Sequence, residues 1–356
     1  MHGLPSSGDH VRASGRNEQQ EMASLPTASV VIITRDRPRV AAHVLDALRG
    51  QSLPPLETLV VDTSRDPADG ERLAREFPEI RLLSFPNGVN SMPWSRNRAA
   101  AAAGGAVIAY LDDDAIPAPN WLEALLMPYA DAAVMAVGGR VVEGMDLPEA
   151  VKPGEPVASL LGDGSVIGNF NLVVPQPVDV DHIKGCNMSF RAGALRQVGG
   201  FDENYSGTCH REETDVCIRL RRAGLRIVYT SDAVVDHKVI RMFGRTDSRL
   251  APARKAFDFG YYEVYFGIKH QPGGRALRLG LHYLAQSVYL WGEAVALTTK
   301  AMVLYSAGVS WALLSAGRRP ARHTLVGVAP APASEEELPA SLPAESAMHL
   351  EGQSKL

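Results

Sequence analysis

This 356-residue chain predicts an α/β fold: a mostly parallel sheet flanked by helices, followed by a helical C-terminal appendage. Three observations carry that expectation. Strand-like runs alternate with helical patterns from Ser29 to Leu111, and strands separated by helices pair in parallel through crossovers. The strand runs are apolar on both faces, as a sheet covered on two sides requires. The composition is 46% hydrophobic and 21% charged, enough for one large domain plus an appendage at the usual roughly 100–200 residues per domain.

The elements follow in order. Ser29-Val-Val-Ile-Ile-Thr34 is a β-branched strand, and after Pro38 the pattern VAAHVLDALRGQ is helical. Glu57-Thr-Leu-Val-Val-Asp62 is the second strand, followed by a helix over 68–76 and a strand over Ile80–Phe85. A helix over Trp94–Ala103 stops at Gly104-Gly105, and the strand Ala106–Leu111 runs into Asp112-Asp113-Asp114. A ligand of such a sheet lies beyond the carboxyl ends of its strands.

Charge and motifs exclude several classes. Lys and Arg number 36 against 40 Asp and Glu, so no basic excess argues for nucleic acid. The first turn, Thr34-Arg-Asp-Arg-Pro38, has neither Gly-x-Gly-x-x-Gly nor Gly-Lys-Ser/Thr, which demotes dinucleotide enzymes and P-loop ATPases. Cys186, Cys209 and Cys217 show no metal-finger spacing and read as reduced thiols. The first 26 residues carry no apolar signal core, so the expected location is the cytoplasm.

Three carboxylates directly after a buried strand repel one another unless a cation neutralises them. Oxygen ligands suit Mg²⁺ or Mn²⁺ shared with substrate phosphates, so Asp112 and Asp114 form a candidate metal pair. The competing reading is a cap for the helix near Pro119. Asp62, ending the second strand, stands where an acid accepts hydrogen bonds from a base or ribose; the competing reading is an Asx turn into Thr63-Ser64. A second acidic cluster, Glu212-Glu-Thr-Asp215, opens a helical pattern whose dipole favours acids in any case.

Residues from about 28 to 240 resemble the family 2 glycosyltransferases, nucleotide-sugar enzymes with the GT-A fold. Agreeing in order are IITRDRP, the VVD strand end, Trp94-Ser-Arg-Asn-Arg98, LDDD, GCNMSFR, GGFDE, EETDVCIRL and the late His237. The resemblance implies a nucleoside-diphosphate sugar donor, with a divalent metal (Mn²⁺ or Mg²⁺) on Asp112 and Asp114 and His237 near it. Asp62 contacts the nucleotide, with Thr34 beside it. Arg35 and Arg96 are candidate diphosphate ligands, surface or ion-pair duty being the alternative for each. Asn187 and Met188 line the acceptor or sugar side. The family's Glu-Asp motif supplies the base of inverting members; this chain has Glu-Glu, which leaves Glu212, Glu213 and Asp215 open. The implied function is inverting sugar transfer to a glycan or lipid-linked acceptor in cell-surface synthesis. The rivals are a non-catalytic nucleotide-sugar binder and a nucleotidyltransferase of related fold.

The expected organisation is a disordered segment over 1–27, a GT-A-like domain over 28–245 divided near 117, a helical segment over 246–317 and a disordered Ala/Pro/Ser/Glu-rich tail over 318–356. Apolar residues from 276, with Arg318 and Arg319 after them, suggest interfacial helices at the inner face of the cell membrane through 276–319. A packed hairpin and a membrane span are the alternatives.

Overall fold

Strand β1 (Ala28–Thr34) is buried along its whole length, and its alternating side chains serve two cores. Val30 and Ile32 pack with Val44, Leu45 and Trp121 on one face; Val31 and Ile33 pack with Ala99, Val216 and Leu220 on the other. The chain continues through α1 (Pro38–Arg49), β2 (Glu57–Asp62), α2 (Pro67–Glu76), β3 (Ile80–Ser84), α3 (Met92–Ala102) and β4 (Val107–Asp112). Each of these helices has a proline in its first turn, where the missing N–H costs nothing. The order β4-β1-β2-β3 is parallel throughout, as the alternation predicts. The computed structural model describes residues 25–86, 88, 91–142, 149–152, 154–162, 165–237, 252–270 and 306–311.

The second half adds β5 (Ile116–Pro117), α4 (Trp121–Leu126), β6 (Val134–Val142), β7 (Val178–Asp179), β8 (Asn187–Arg191), α5 (Ala192–Gln197), α6 (Glu212–Arg222) and β9 (Arg226–Asp236). Among the described residues, nine strands form one sheet in the order β7-β9-β6-β8-β4-β1-β2-β3, with β5 paired to β9. β8 runs antiparallel to both β4 and β6, so this half is mixed. Its register sets Asn187 opposite Leu111, bringing the Gly185-Cys186 turn alongside the end of β4.

Helix α7 (Pro252–His270) falls within the segment expected to be helical, and buried polar contacts tie it to the sheet domain. Lys269 Nζ lies 2.6 Å from Asp215 and 2.7 Å from Asp202, His270 Nε2 lies 2.7 Å from Asp215, and the Tyr265 hydroxyl donates to Asp202. Eleven residues before Lys269, Asp258 accepts from the Thr208 backbone N–H. The short helical stretch 306–311 packs on α7, with Val309 buried among Tyr205, Tyr261 and Tyr265. A Cβ at Gly308 would sit 2.1 Å from the Phe257 carbonyl, so glycine permits this approach. The remaining expectations for 276–319, for the tail and for 1–24 lie outside the described residues. No described helix is long and apolar enough to cross a membrane.

The Glu263 anchor carries a pH prediction. Its buried carboxylate accepts from His210 Nε2 at 2.7 Å and from Arg211 Nε and Nη2 at 3.0 and 2.7 Å. Burial pushes this carboxyl up, but the His210 hydrogen bond and the Arg211 charge outweigh it and hold it at about 2, against an ordinary 4.5. The folded value is the lower one, so its stabilisation is complete above about pH 4.5 and is lost as pH falls toward 2. Thermal melts between about pH 5 and pH 3 are expected to show a shallower loss of Tm in Glu263→Gln than in the parent chain. Equal slopes would remove Glu263 from the acid response.

Candidate functional site

The carboxyl ends of β1, β2 and β4 converge with the end of β9 and the start of α6. Consecutive acids at the end of β4 separate by alternation. Asp113 turns into the protein, where Thr34 Oγ1 donates to it at 2.8 Å and the Arg37 guanidinium grips it. Thr34, expected in the nucleotide site, instead fixes the metal-strand turn from beneath and is itself buried. Arg37, which the sequence did not single out, also reaches Asp114 at 3.5 Å; its only sequence signal was its position one turn after the β1 end.

Asp112 and Asp114 face His237. The imidazole Nε2 lies 3.3 Å from Asp114 Oδ1 and 3.8 Å from Asp112 Oδ2. His237 directly follows β9, and its backbone N–H is tied to the Val142 carbonyl at 2.9 Å. The Asp114 hydrogen bond raises the imidazole above its ordinary value in spite of burial. Burial pushes the Asp112 carboxyl up, against the pull of Arg96. Asp112 Oδ1 is buried without a hydrogen bond and has the Arg96 guanidinium 3.6 Å away, while Oδ2 is the oxygen that faces His237. Asp112, Cys186 and His237 also bring ligand atoms within 4.8 Å of one another. The donor set therefore fits a divalent cation.

Asp62, the expected nucleotide contact, ends β2 and is buried. One carboxylate oxygen accepts from the Ser64 backbone N–H at 3.0 Å and from its hydroxyl, the expected Asx turn. The other oxygen lies over Gly70, where a Cβ would come within 2.4 Å of it. Arg35 is partly exposed and donates to the Gly88 carbonyl at 3.2 Å.

Two expected ligands are instead held within the protein. Arg96 is buried, donates to the Gly185 carbonyl at 3.1 Å, pairs with Glu212 and lies 3.6 Å from Asp112 Oδ1. The ion-pair alternative therefore describes it: it joins the metal strand to the start of α6. Asn187 is fully buried; its amide nitrogen donates to the carbonyls of Arg140 and Ala233, and its oxygen accepts from Trp121 Nε1 at 2.8 Å. Both of its amide hydrogens are thus spent in the core. Met188 is buried in the core as well.

The three acids of α6 divide in the same way. Glu212 is committed to Arg96. Asp215 is fully buried, bonded by Arg219 at 2.8 Å, Lys269 at 2.6 Å and His270 at 2.7 Å. Burial pushes its carboxyl up, yet the His270 hydrogen bond and the two other cations hold it well below the usual range. Glu213 is partly exposed and has no hydrogen bond or ion pair among the described residues. The residue preceding the helix, Arg211, is left-handed at φ 73°, a conformation the Glu263 contacts hold in place.

Comparison with known proteins bears on the family and the fold. Residues 29–199 match the family described as Glycosyl transferase family 2. A glucosyl-dolichyl phosphate glucuronosyltransferase of Haloferax volcanii is 30% identical over 223 residues, covering 59% of this chain and 69% of that protein. The chain belongs to the family 2 glycosyltransferases. A pre-mycofactocin glycosyltransferase of Mycobacterium tuberculosis is 31% identical over 244 residues, covering 68% of this family 2 chain. The chain spans only 48% of that relative's length. Two solved structures share the fold. A mannosyltransferase from Pyrobaculum calidifontis in complex with GDP-Man and Mn²⁺ gives a TM-score of 0.51 at 18% identity, covering 83% of each chain. GalNAc-T7 with UDP, GalNAc and Mn²⁺ gives 0.53 at 15% identity, covering 70% of this chain and 53% of that one.

Proposed function

We propose that this chain transfers a sugar from a nucleoside-diphosphate sugar to a hydroxyl of a glycan or lipid-linked acceptor, with inversion at the anomeric carbon and with a divalent metal. The observation that carries the reading is the division of the acids: Asp112 and Asp114 converge on His237, while Glu213 alone in its motif has no hydrogen bond or ion pair among the described residues. In this reading Asp112, Asp114 and His237 hold Mn²⁺ or Mg²⁺, and the two Mn²⁺-containing fold neighbours favour the former. When bound, the metal supplies charge stabilisation for the departing diphosphate. Asp62 orients the nucleotide through the oxygen not used in its Asx turn, and Arg35 flanks the cleft.

Glu213 takes the acceptor hydroxyl proton as the new bond forms, which needs an ionised carboxylate within about 3 Å of that oxygen. Arg96 keeps this chemistry in register, because its guanidinium contacts both Asp112 and the residue before Glu213. The name of the Haloferax volcanii relative includes glucosyl-dolichyl phosphate, a lipid-linked sugar, which supports a lipid-linked acceptor and a place at the cytoplasmic membrane face.

Thermal-shift screening against nucleoside diphosphates and their sugars, with and without Mn²⁺, tests the donor. A nucleotide at about 100 times its Kd stabilises by roughly 2.7 kcal/mol, so one diphosphate and its sugar are expected to raise Tm in the presence of the metal. A flat response to every nucleotide would sink the donor assignment.

A further inference from the structure

Cys186 has no place in the transfer mechanism, yet the sheet delivers it to the metal end of β4. β8 pairs antiparallel with β4 and sets Asn187 opposite Leu111; one further step along that register places Cys186 across from Asp112. The Asp112 carboxylate, the Cys186 sulfur and a His237 ring nitrogen lie within 4.8 Å of one another, and the sulfur forms no disulfide. Asp114 is not part of this close triplet. Two overlapping donor sets therefore share Asp112 and His237: a harder one completed by the Asp114 oxygen, and a softer one completed by sulfur.

We infer that a thiophilic divalent cation such as Zn²⁺ or Co²⁺ is held by Asp112, His237 and Cys186, and competes with the harder cation used in transfer. Zinc takes oxygen, nitrogen and sulfur ligands at about 2.0–2.3 Å, so its tetrahedral ligands stand roughly 3.3–3.8 Å apart. Closing from 4.8 Å to that spacing requires a shift of about 1 Å, within the reach of side-chain rotation. Asp112 Oδ1 faces Arg96 at 3.6 Å, whereas Oδ2 faces His237 at 3.8 Å, so a cation held through Oδ2 leaves the Arg96 pair in place. As the sulfur–metal bond forms, the S–H bond breaks and its proton passes to solvent. Thiolate and imidazole donors select zinc and cobalt over manganese, which is the weakest binder in the divalent series. The expected consequence is inhibition by low zinc of an enzyme that works with Mn²⁺.

This inference rests on the metal-centre reading above, and the test separates the two. The purified full-length chain is titrated with Co²⁺ and followed by absorption. Visible d–d bands report cobalt in a protein site, and a near-ultraviolet thiolate-to-cobalt band reports sulfur ligation. Both are expected for the parent chain. In Cys186→Ala the d–d bands persist at a cobalt affinity weakened by more than about 10-fold, the lower bound for losing even an outer-sphere partner, and the thiolate band disappears. Cys209 and Cys217 remain in that variant as controls for other thiols. A parent chain with d–d bands but no thiolate band overturns the Cys186 assignment alone, whether or not the variant folds. A thiolate band that survives in Cys186→Ala does the same. Absence of all cobalt bands, together with Mn²⁺-independent nucleotide binding, overturns the metal centre and this inference with it.

Discussion

Glu213→Gln is expected to bind the sugar donor as well as the parent chain while transferring it roughly 10²–10⁴-fold more slowly, the usual contribution of a positioned base. The amide keeps the size and hydrogen bonding of the acid but accepts no proton. What makes the prediction specific is the state of its neighbours. Glu212 is buried against Arg96, so Glu212→Gln leaves that buried guanidinium with only the longer Asp112 carboxylate contact at 3.6 Å. Asp215 is surrounded by Arg219, Lys269 and His270, and removing one partner of such a buried cluster costs about 3–5 kcal/mol. Those two variants are therefore expected to lose Tm along with activity, whereas Glu213→Gln loses activity at unchanged Tm. Product NMR is expected to show the anomeric configuration opposite to the donor's. Near-normal turnover by Glu213→Gln, or retention of configuration, would defeat the assignment.

The parallel half of the fold is legible in the sequence because β1, β2 and β4 are apolar on both faces, and its helices begin at prolines; the edge strand β3, with Arg81 and Ser84 exposed, is the exception. The candidate metal pair stands out in the sequence for a related reason: three adjacent acids after a buried strand have few structural uses. The assignment of the three acids on α6 is not legible. It depends on Arg96, more than a hundred residues earlier, and on His270, more than fifty later, and no local pattern announces either partner. Arg37 looks like one charge among several in TRDRP until the turn at Asp113 folds back on it. Asn187 reads as site lining because it sits in an unusual polar run, but its amide is the hydrogen-bond partner of Trp121 beneath the sheet. Cys186 reads only as one of three reduced thiols; it is buried, and only the antiparallel register of β8 brings it beside Asp112.

Asp114→Ala carries the second large effect: Mn²⁺-dependent binding of the nucleoside diphosphate is expected to disappear, leaving at most the metal-independent affinity. Asp114 is the acid least replaceable by its neighbours. Asp113 is bound by Thr34 and Arg37 beneath the turn, and Asp112 is shared with Arg96, so neither moves into its position without breaking a buried contact. The variant also removes the hydrogen bond that raises the His237 imidazole. With that bond gone, burial is opposed only by the Asp112 charge, and the His237 resonance is expected to titrate at lower pH than in the parent chain. The sign follows from the bond itself: Asp114 favours the protonated ring, so its loss makes the ring easier to deprotonate. Calorimetry of nucleotide binding with Mn²⁺ and an NMR titration of His237 without metal read these two consequences separately. Unchanged nucleotide affinity in the presence of Mn²⁺ would remove Asp114 from the metal centre, even if the imidazole shifted as expected, because the shift requires only the Asp114–His237 contact and not a bound cation.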